Sequence, residues 1–211
     1  MSDPVVILVH MTLDLLVPSR CSGCGRSGPA CCSTCLGAFG PPSRLSVPGV
    51  GPPVWTLAAY DGVVRELVLG FKERGARALV AWFGALVAAA LVSIGPAPWV
   101  LVPAPSRAEA ARERGGDHMV RIARAVEIAE VSAVLSFAAG VSDSVGLGPG
   151  ARRRNVDGRV LVCGRPPPGT VVLLDDVVTT GATAAACVRA LRSAGARVRG
   201  VLALASARPW G

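Results

Sequence analysis

The sequence predicts an α/β fold, a doubly wound parallel sheet preceded by a small cysteine-rich knuckle. Two patterns carry the sheet. Short apolar runs alternate with longer segments of helical period, as in chains that build parallel sheets through helical crossovers. The run Val171–Leu174 is apolar at every position rather than at alternate ones, as expected of a strand buried on both faces. The knuckle follows from cysteine spacing, since five of the seven cysteines fall within Cys21–Cys35.

Taken in order, Thr12–Pro18 is compatible with a short apolar helical turn leading into the cysteines. Cys21 and Cys24 form one CxxC pair and Cys32 and Cys35 a second. Each pair can turn back and aim two thiolates at one point, and together they offer a tetrahedral sulfur site suited to a structural Zn²⁺. A disulfide staple and an iron–sulfur cluster are the alternatives. Cys31 stands beside Cys32 and competes with it as a ligand; the repeated spacing favours Cys32. Cys163 and Cys187 are remote and read as buried apolar positions. Residues 1–40 are therefore expected to form the N-terminal unit, the Pro/Gly/Ser-rich stretch 41–53 a linker, and 54–211 the α/β domain.

In that domain Val54–Tyr60 reads as a strand. Gly62–Glu73 reads as a helix with Val63, Leu67 and Phe71 on one face. Ala78–Ile94 is 17 residues without a charge, just short of a membrane span, and is expected to be a buried core helix. Trp99–Val102 is a strand running into the turn Pro103–Arg107. Arg107–Ile128 is compatible with helix, interrupted at Gly115-Gly116. Ala133–Phe137, Val160–Cys163, Val171–Leu174 and Arg197–Leu204 supply further strands, with the helix Ala182–Ala194 between the last two.

The 211 residues carry a formal net charge of +8, which suits phosphate-rich ligands. Of the 22 basic residues only Lys72 is a lysine, and the chain has few aromatics, against a base-stacking platform. The start of the chain lacks the basic segment and cleavage site of a signal peptide, so a cytoplasmic protein without membrane insertion is expected.

The stretch Val171–Thr183, VVLLDDVVTTGAT, concentrates the chemistry. Asp175 and Asp176 follow the apolar run, at the carboxyl edge where open α/β sheets bind ligands. Thr179, Thr180, Gly181, Ala182 and Thr183 then open a helix whose N–H groups and hydroxyls attract a phosphate. A ribose 5-phosphate carries both a vicinal diol and a phosphate at about that separation. The segment Val102–His118 is a second candidate. Ala104, Pro105, Ser106 and Arg107 form a turn whose N–H groups and guanidinium suit a pyrophosphate. Arg112 and Arg114 lie on a part hinged at Gly115-Gly116. His118 is the one histidine near either motif.

The thirteen-residue stretch resembles the signature of the type I phosphoribosyltransferases. That resemblance implies that Asp175 and Asp176 hold the ribose hydroxyls of phosphoribosyl pyrophosphate (PRPP) and that Thr179–Thr183 hold its 5-phosphate, with Mg²⁺ accompanying PRPP. Four elements in order, CxxC…CxxC, Phe71-Lys72 with Gly75, Val102-Pro-Ala-Pro with Arg114-Gly115, and DDVVTTGAT, resemble the ComF family. The ComF resemblance implies a type I phosphoribosyltransferase-like domain behind a zinc finger, with Lys72 near the phosphate pocket. It also implies a role in DNA uptake beside a competence helicase and recombination mediators. Gly116 stands where that family usually has an aromatic, and Asp143-Ser144 near where it often has a glutamine. Two expectations follow: transfer of a phosphoribosyl group to an acceptor, or a non-catalytic adaptor binding single-stranded DNA or a nucleotide.

Overall fold

The computed structural model describes residues 20–73, 76–96, 98–106, 117–138 and 160–207. Its centre is a six-stranded, mostly parallel sheet. Along the chain come α1 (Ser33–Leu36), β1 (Ser43–Leu45), β2 (Val54–Thr56), α2 (Gly62–Lys72), α3 (Leu79–Ile94), β3 (Trp99–Pro103) and α4 (His118–Arg124). Then follow β4 (Ala129–Val131), β5 (Leu135–Phe137), β6 (Val160–Val162), β7 (Thr170–Val178), α5 (Ala182–Ser193) and β8 (Arg197–Ser206). The strand order is β1-β2-β8-β7-β3-β4, with β1 antiparallel to β2 and every other neighbour pair parallel.

The apolar run before the two aspartates forms the middle of this sheet. Val172 and Leu174 face the core shared with Leu67, Phe71 and Phe83; Val171 and Leu173 face the core shared with Val188 and Leu191. All four are fully buried, so the residues follow no polar alternation. The chain leaves β3 toward β4 on one side and leaves β7 toward β8 on the other. α4, which follows β3, packs in the first core, while α5, which follows β7, packs in the second. The carboxyl ends of β3 and β7 therefore flank a topological switch point, the position where open α/β sheets commonly bind ligands.

Several elements differ from the sequence expectation. β1 lies within the stretch 41–53, and its Leu45 is buried together with Val47 and Val50, so this segment is packed as well as connecting. β5 and β6 pair antiparallel in a separate two-stranded sheet and do not enter the main one. β6 has only its first residue buried, which does not suit a central parallel strand. Within Arg107–Ile128 the described helix covers only His118–Arg124; residues 107–116 lie outside the described residues, as do Thr12–Pro18. β4, unexpected from sequence, is an edge strand of three residues paired with β3. β7 runs on through Asp175 and Asp176 to Val178, because β8 pairs with it along that length.

The charge-free helix is α3, which buries Leu79, Phe83, Val87 and Leu91 and leaves Val92 exposed. Among the described residues no helix is long and apolar enough to cross a membrane.

Candidate functional site

The cysteine knuckle comes first along the chain. Sγ atoms of Cys21, Cys24, Cys32 and Cys35 all lie within 4.8 Å of one another, and Cys24 and Cys32 are 3.8 Å apart. A tetrahedral zinc with Zn–S bonds of about 2.3 Å sets its sulfurs about 3.8 Å apart, so these residues fit that ion. The first CxxC turn is closed by Gly25 N–H donating to the Cys21 carbonyl at 2.8 Å, and Cys32 N–H points at Cys21 Sγ at 3.4 Å. Burial pushes the Cys21 thiol up, but the N–H groups of Cys32, Cys24 and Gly23 outweigh it and bring it down to about 6. Cys21 is thus prepared to bind as a thiolate. Cys31 is excluded from the cluster. Its buried Sγ faces the Cys32 carbonyl at 3.7 Å, and burial, with the charges of Cys21, Cys32 and Cys24, pushes it up to about 11.

The second site lies at the switch point. Successive residues of β7 send side chains to opposite faces, so Asp175 and Asp176 meet different surroundings. Asp176 is buried on the α2 and α4 side. Its Oδ2 takes an ion pair from Lys72 Nζ at 2.7 Å and lies 3.0 Å from His118 Nε2. His118 Nδ1 lies 3.0 Å from Ser106 Oγ, so one buried imidazole links the β3 turn to the β7 carboxylate. Burial alone would raise the Asp176 carboxyl, but the His118 hydrogen bond and the Lys72 charge hold it well below the usual carboxylate range. Lys72 is raised despite the opposing effect of its burial, because the Asp176 charge favours its ammonium.

Among the described residues no cation forms an ion pair with Asp175. Burial and the neighbouring Asp176 charge push it up to about 7, although its Oδ1 accepts the Asp176 N–H at 2.9 Å. Two adjacent carboxyls are thereby driven apart, one held ionised and the other held close to neutrality.

The turn after β3 is fixed from both sides. Ala104 N–H donates to the Leu174 carbonyl at 2.8 Å, extending the ladder. Ser106 N–H donates to Asp117 Oδ2 at 2.9 Å, while Asp117 Oδ1 accepts Met119 N–H at 2.9 Å and Val120 N–H at 3.4 Å. Asp117 is therefore the N-cap of α4 and the anchor of the Ser106 turn together.

Beyond Asp176 the strand passes into Thr179 and Thr180 and then Gly181, at φ +80°. That left-handed conformation suits glycine, and an added Cβ would collide with Val47 Cγ1. Ala182 N–H donates to Thr180 Oγ1 at 3.3 Å, and no side chain caps α5. Among the described residues no acceptor meets the next N–H groups at the start of α5, those of Thr183 and Ala184.

Of the residues singled out from sequence, Lys72, Ser106 and Asp176 belong to one hydrogen-bonded chain, with Ala104 and Pro105 in the turn before Ser106. Asp175 and Thr179–Thr183 continue along the same strand and loop. Arg107, Arg112 and Arg114 lie outside the described residues. Sequence reasoning missed Asp117 and the bridging position of His118. An Asp immediately before an apolar helical stretch is an N-cap signal, and it would have started α4 at His118.

No protein-family model matches the chain, and no curated protein is significantly similar to it.

Proposed function

We propose that the switch-point site binds a phosphoribosyl ligand of the PRPP type and that the chain is a phosphoribosyltransferase-like protein of the ComF kind. The observation that carries this reading is the meeting, at the carboxyl edge of one parallel sheet, of an acidic pair, a glycine-opened helix with free N–H groups, and a cation from another element. A diol needs carboxylate acceptors, a 5-phosphate needs N–H donors, and a pyrophosphate needs cations. Asp175, Asp176, Thr179–Thr183 and Lys72 with the Ala104–Ser106 turn offer these in one sheet edge.

In this reading a ribose hydroxyl donates to Asp176 and displaces Lys72, which is freed to meet the phosphate groups. His118 stays on Asp176 and keeps its carboxylate turned toward the ligand. Mg²⁺ accompanying PRPP would supply charge neutralisation for the departing pyrophosphate. The attacking group belongs to the acceptor.

Binding without turnover is the second reading, and one observation favours it. Both ring nitrogens of His118 are engaged, by Ser106 and Asp176, so among the described residues the site holds no free imidazole to act as general base. The adaptor role in DNA uptake, with single-stranded DNA, a competence helicase and recombination mediators as partners, belongs to this reading and rests on the ComF resemblance and the basic charge.

The test is calorimetric titration of the zinc-loaded chain with PRPP and Mg²⁺, on wild type, Asp176→Asn and Thr183→Ala. Binding that weakens in both variants sustains the phosphoribosyl site, and release of pyrophosphate with added acceptors then separates transfer from binding. A folded wild type that does not bind PRPP overturns the proposal.

A further inference from the structure

The end of the chain carries charge of one sign. Between Val177 and Ala207 there are four arginines and no acidic residue. The segment Asp61–Glu73 differs: Asp61, Glu66 and Glu73 offset Arg65 and Lys72, and Arg65 is paired with Glu66 at 3.1 Å. Three of the four arginines, Arg192, Arg197 and Arg199, line a single shallow cleft of about 330 Å³ with Thr170, Ala196 and Val198. All three are exposed, and among the described residues none forms an ion pair.

The cleft lies at the end of the sheet remote from Asp175 and Asp176. Thr170 and Arg197 are the first residues of β7 and β8, and Arg192 is in the last turn of α5. A bulge helps to build it. The β7–β8 register pairs Val171 with Val198 but Val172 with Gly200, leaving Arg199 as the extra residue. Bulges re-aim side chains, and this one lets Val198 and Val201 both enter the core beneath α5 while Arg199 stays outside beside Arg197.

The C-terminal carbonyls of α5 attract Arg192, but no described carboxylate serves Arg197 or Arg199. Gathered like charges repel unless an anion joins them, and a guanidinium fork matches phosphate oxygens in pairs.

We propose that this cleft is a second anion site, for a compact, multiply charged oligophosphate such as the phosphate tail of a nucleotide. Among the described residues its lining contains no aromatic ring on which a base could stack, so the phosphates are the recognised part. The site is independent of the phosphoribosyl reading and stands on different elements.

The experiment titrates the full chain with inorganic tripolyphosphate at low salt. The variants are Arg192→Gln/Arg197→Gln/Arg199→Gln and Asp176→Asn. Binding at the cleft is expected, weakened at least about tenfold by the arginine variant, as loss of charge-assisted hydrogen bonds implies, and retained in Asp176→Asn. Amide shifts on the wild-type protein give a reading that does not depend on the variants folding: Thr170, Ala196 and Val198 should move. Equal affinity in a folded arginine variant, no binding by wild type, or shifts confined to Thr179–Ala184 each overturn the proposal. A single-stranded oligonucleotide that binds through these arginines more tightly than tripolyphosphate overturns it in favour of a polymer-binding face.

Discussion

Replacing Asp175 by asparagine should stabilise this protein at neutral and alkaline pH. Folding buries the Asp175 carboxyl beside the Asp176 charge and raises it from 3.8 to about 7. Below pH 3.8 both the folded and the unfolded chain hold this proton, and Asp175 adds no pH dependence. Between 3.8 and about 7 the folded chain holds a proton that the unfolded chain has released, so stability falls as pH rises. Above about 7 the cost is constant. At 1.36 kcal/mol for each tenfold change in proton affinity, the gap corresponds to roughly 4 kcal/mol.

Asparagine has the same shape without the ionisation, and its carbonyl oxygen can still accept the Asp176 N–H. Relaxation around the buried site brings the measurable gain to about 2–4 kcal/mol at pH 8. The assay is urea unfolding of wild type and Asp175→Asn at intervals from pH 4 to pH 8. The difference should be small at pH 4 and grow through pH 6. A difference that does not change with pH, or a variant less stable at pH 8, would refute the reasoning. A gain would also identify Asp175 as a residue kept at the expense of stability, as residues serving ligands commonly are.

Lys72→Met should destabilise the fold by about 2 kcal/mol at pH 7 in chemical unfolding. That figure lies below the cost of breaking a fully buried pair, because the Lys72 side chain is 37% exposed and its charge is partly screened. Gly181→Ala should cost roughly 2–4 kcal/mol in the same assay, from the left-handed backbone and the collision with Val47, and Val47→Ala should recover the steric part. Metal analysis of the purified chain should find one zinc per chain, retained in Cys31→Ser and lost in Cys32→Ser, because only Cys32 belongs to the four-sulfur cluster.

Features written in consecutive residues were legible in the sequence. The run Val171–Leu174 announces a strand buried on both faces, and Gly181 marks the opening of α5 because the backbone there requires it. The spacing of Cys21, Cys24, Cys32 and Cys35 identifies the knuckle, since two short turns determine where four sulfurs point. Elements that depend on a distant partner were not legible. Ser43–Leu45 sits among prolines and glycines and is a strand only because it pairs with Val54–Thr56. Ala129–Val131 has no strong pattern and is held by Trp99–Leu101. The contact of His118 with Asp176 joins residues 58 apart, and nothing local to either predicts it. The Asp117 cap is local to α4, but it falls inside Arg107–Ile128, a stretch compatible with helix on both sides of the break at Gly115-Gly116.

The knuckle and the switch-point site share a core. Gly23 packs so closely that an added Cβ would lie 3.0 Å from Cys35 Sγ and 3.1 Å from Leu67 Cγ, on α2. Phe39, just after the knuckle, stacks edge-on against Phe83; Phe83 meets Phe71, and Phe71 meets His118, with centroids 6.0, 5.5 and 5.8 Å apart. Helix α2 thus touches the knuckle through Leu67 and supplies Lys72 to Asp176. The relative strengths give this contact a direction. Each aromatic pair contributes about 0.5–1.5 kcal/mol beyond burial, whereas a structural zinc held by four thiolates contributes on the order of 10 kcal/mol. A metal in the knuckle would therefore stiffen the side of the core on which Leu67 of α2 rests, while the Lys72 ammonium is held at Asp176 by its own ion pair.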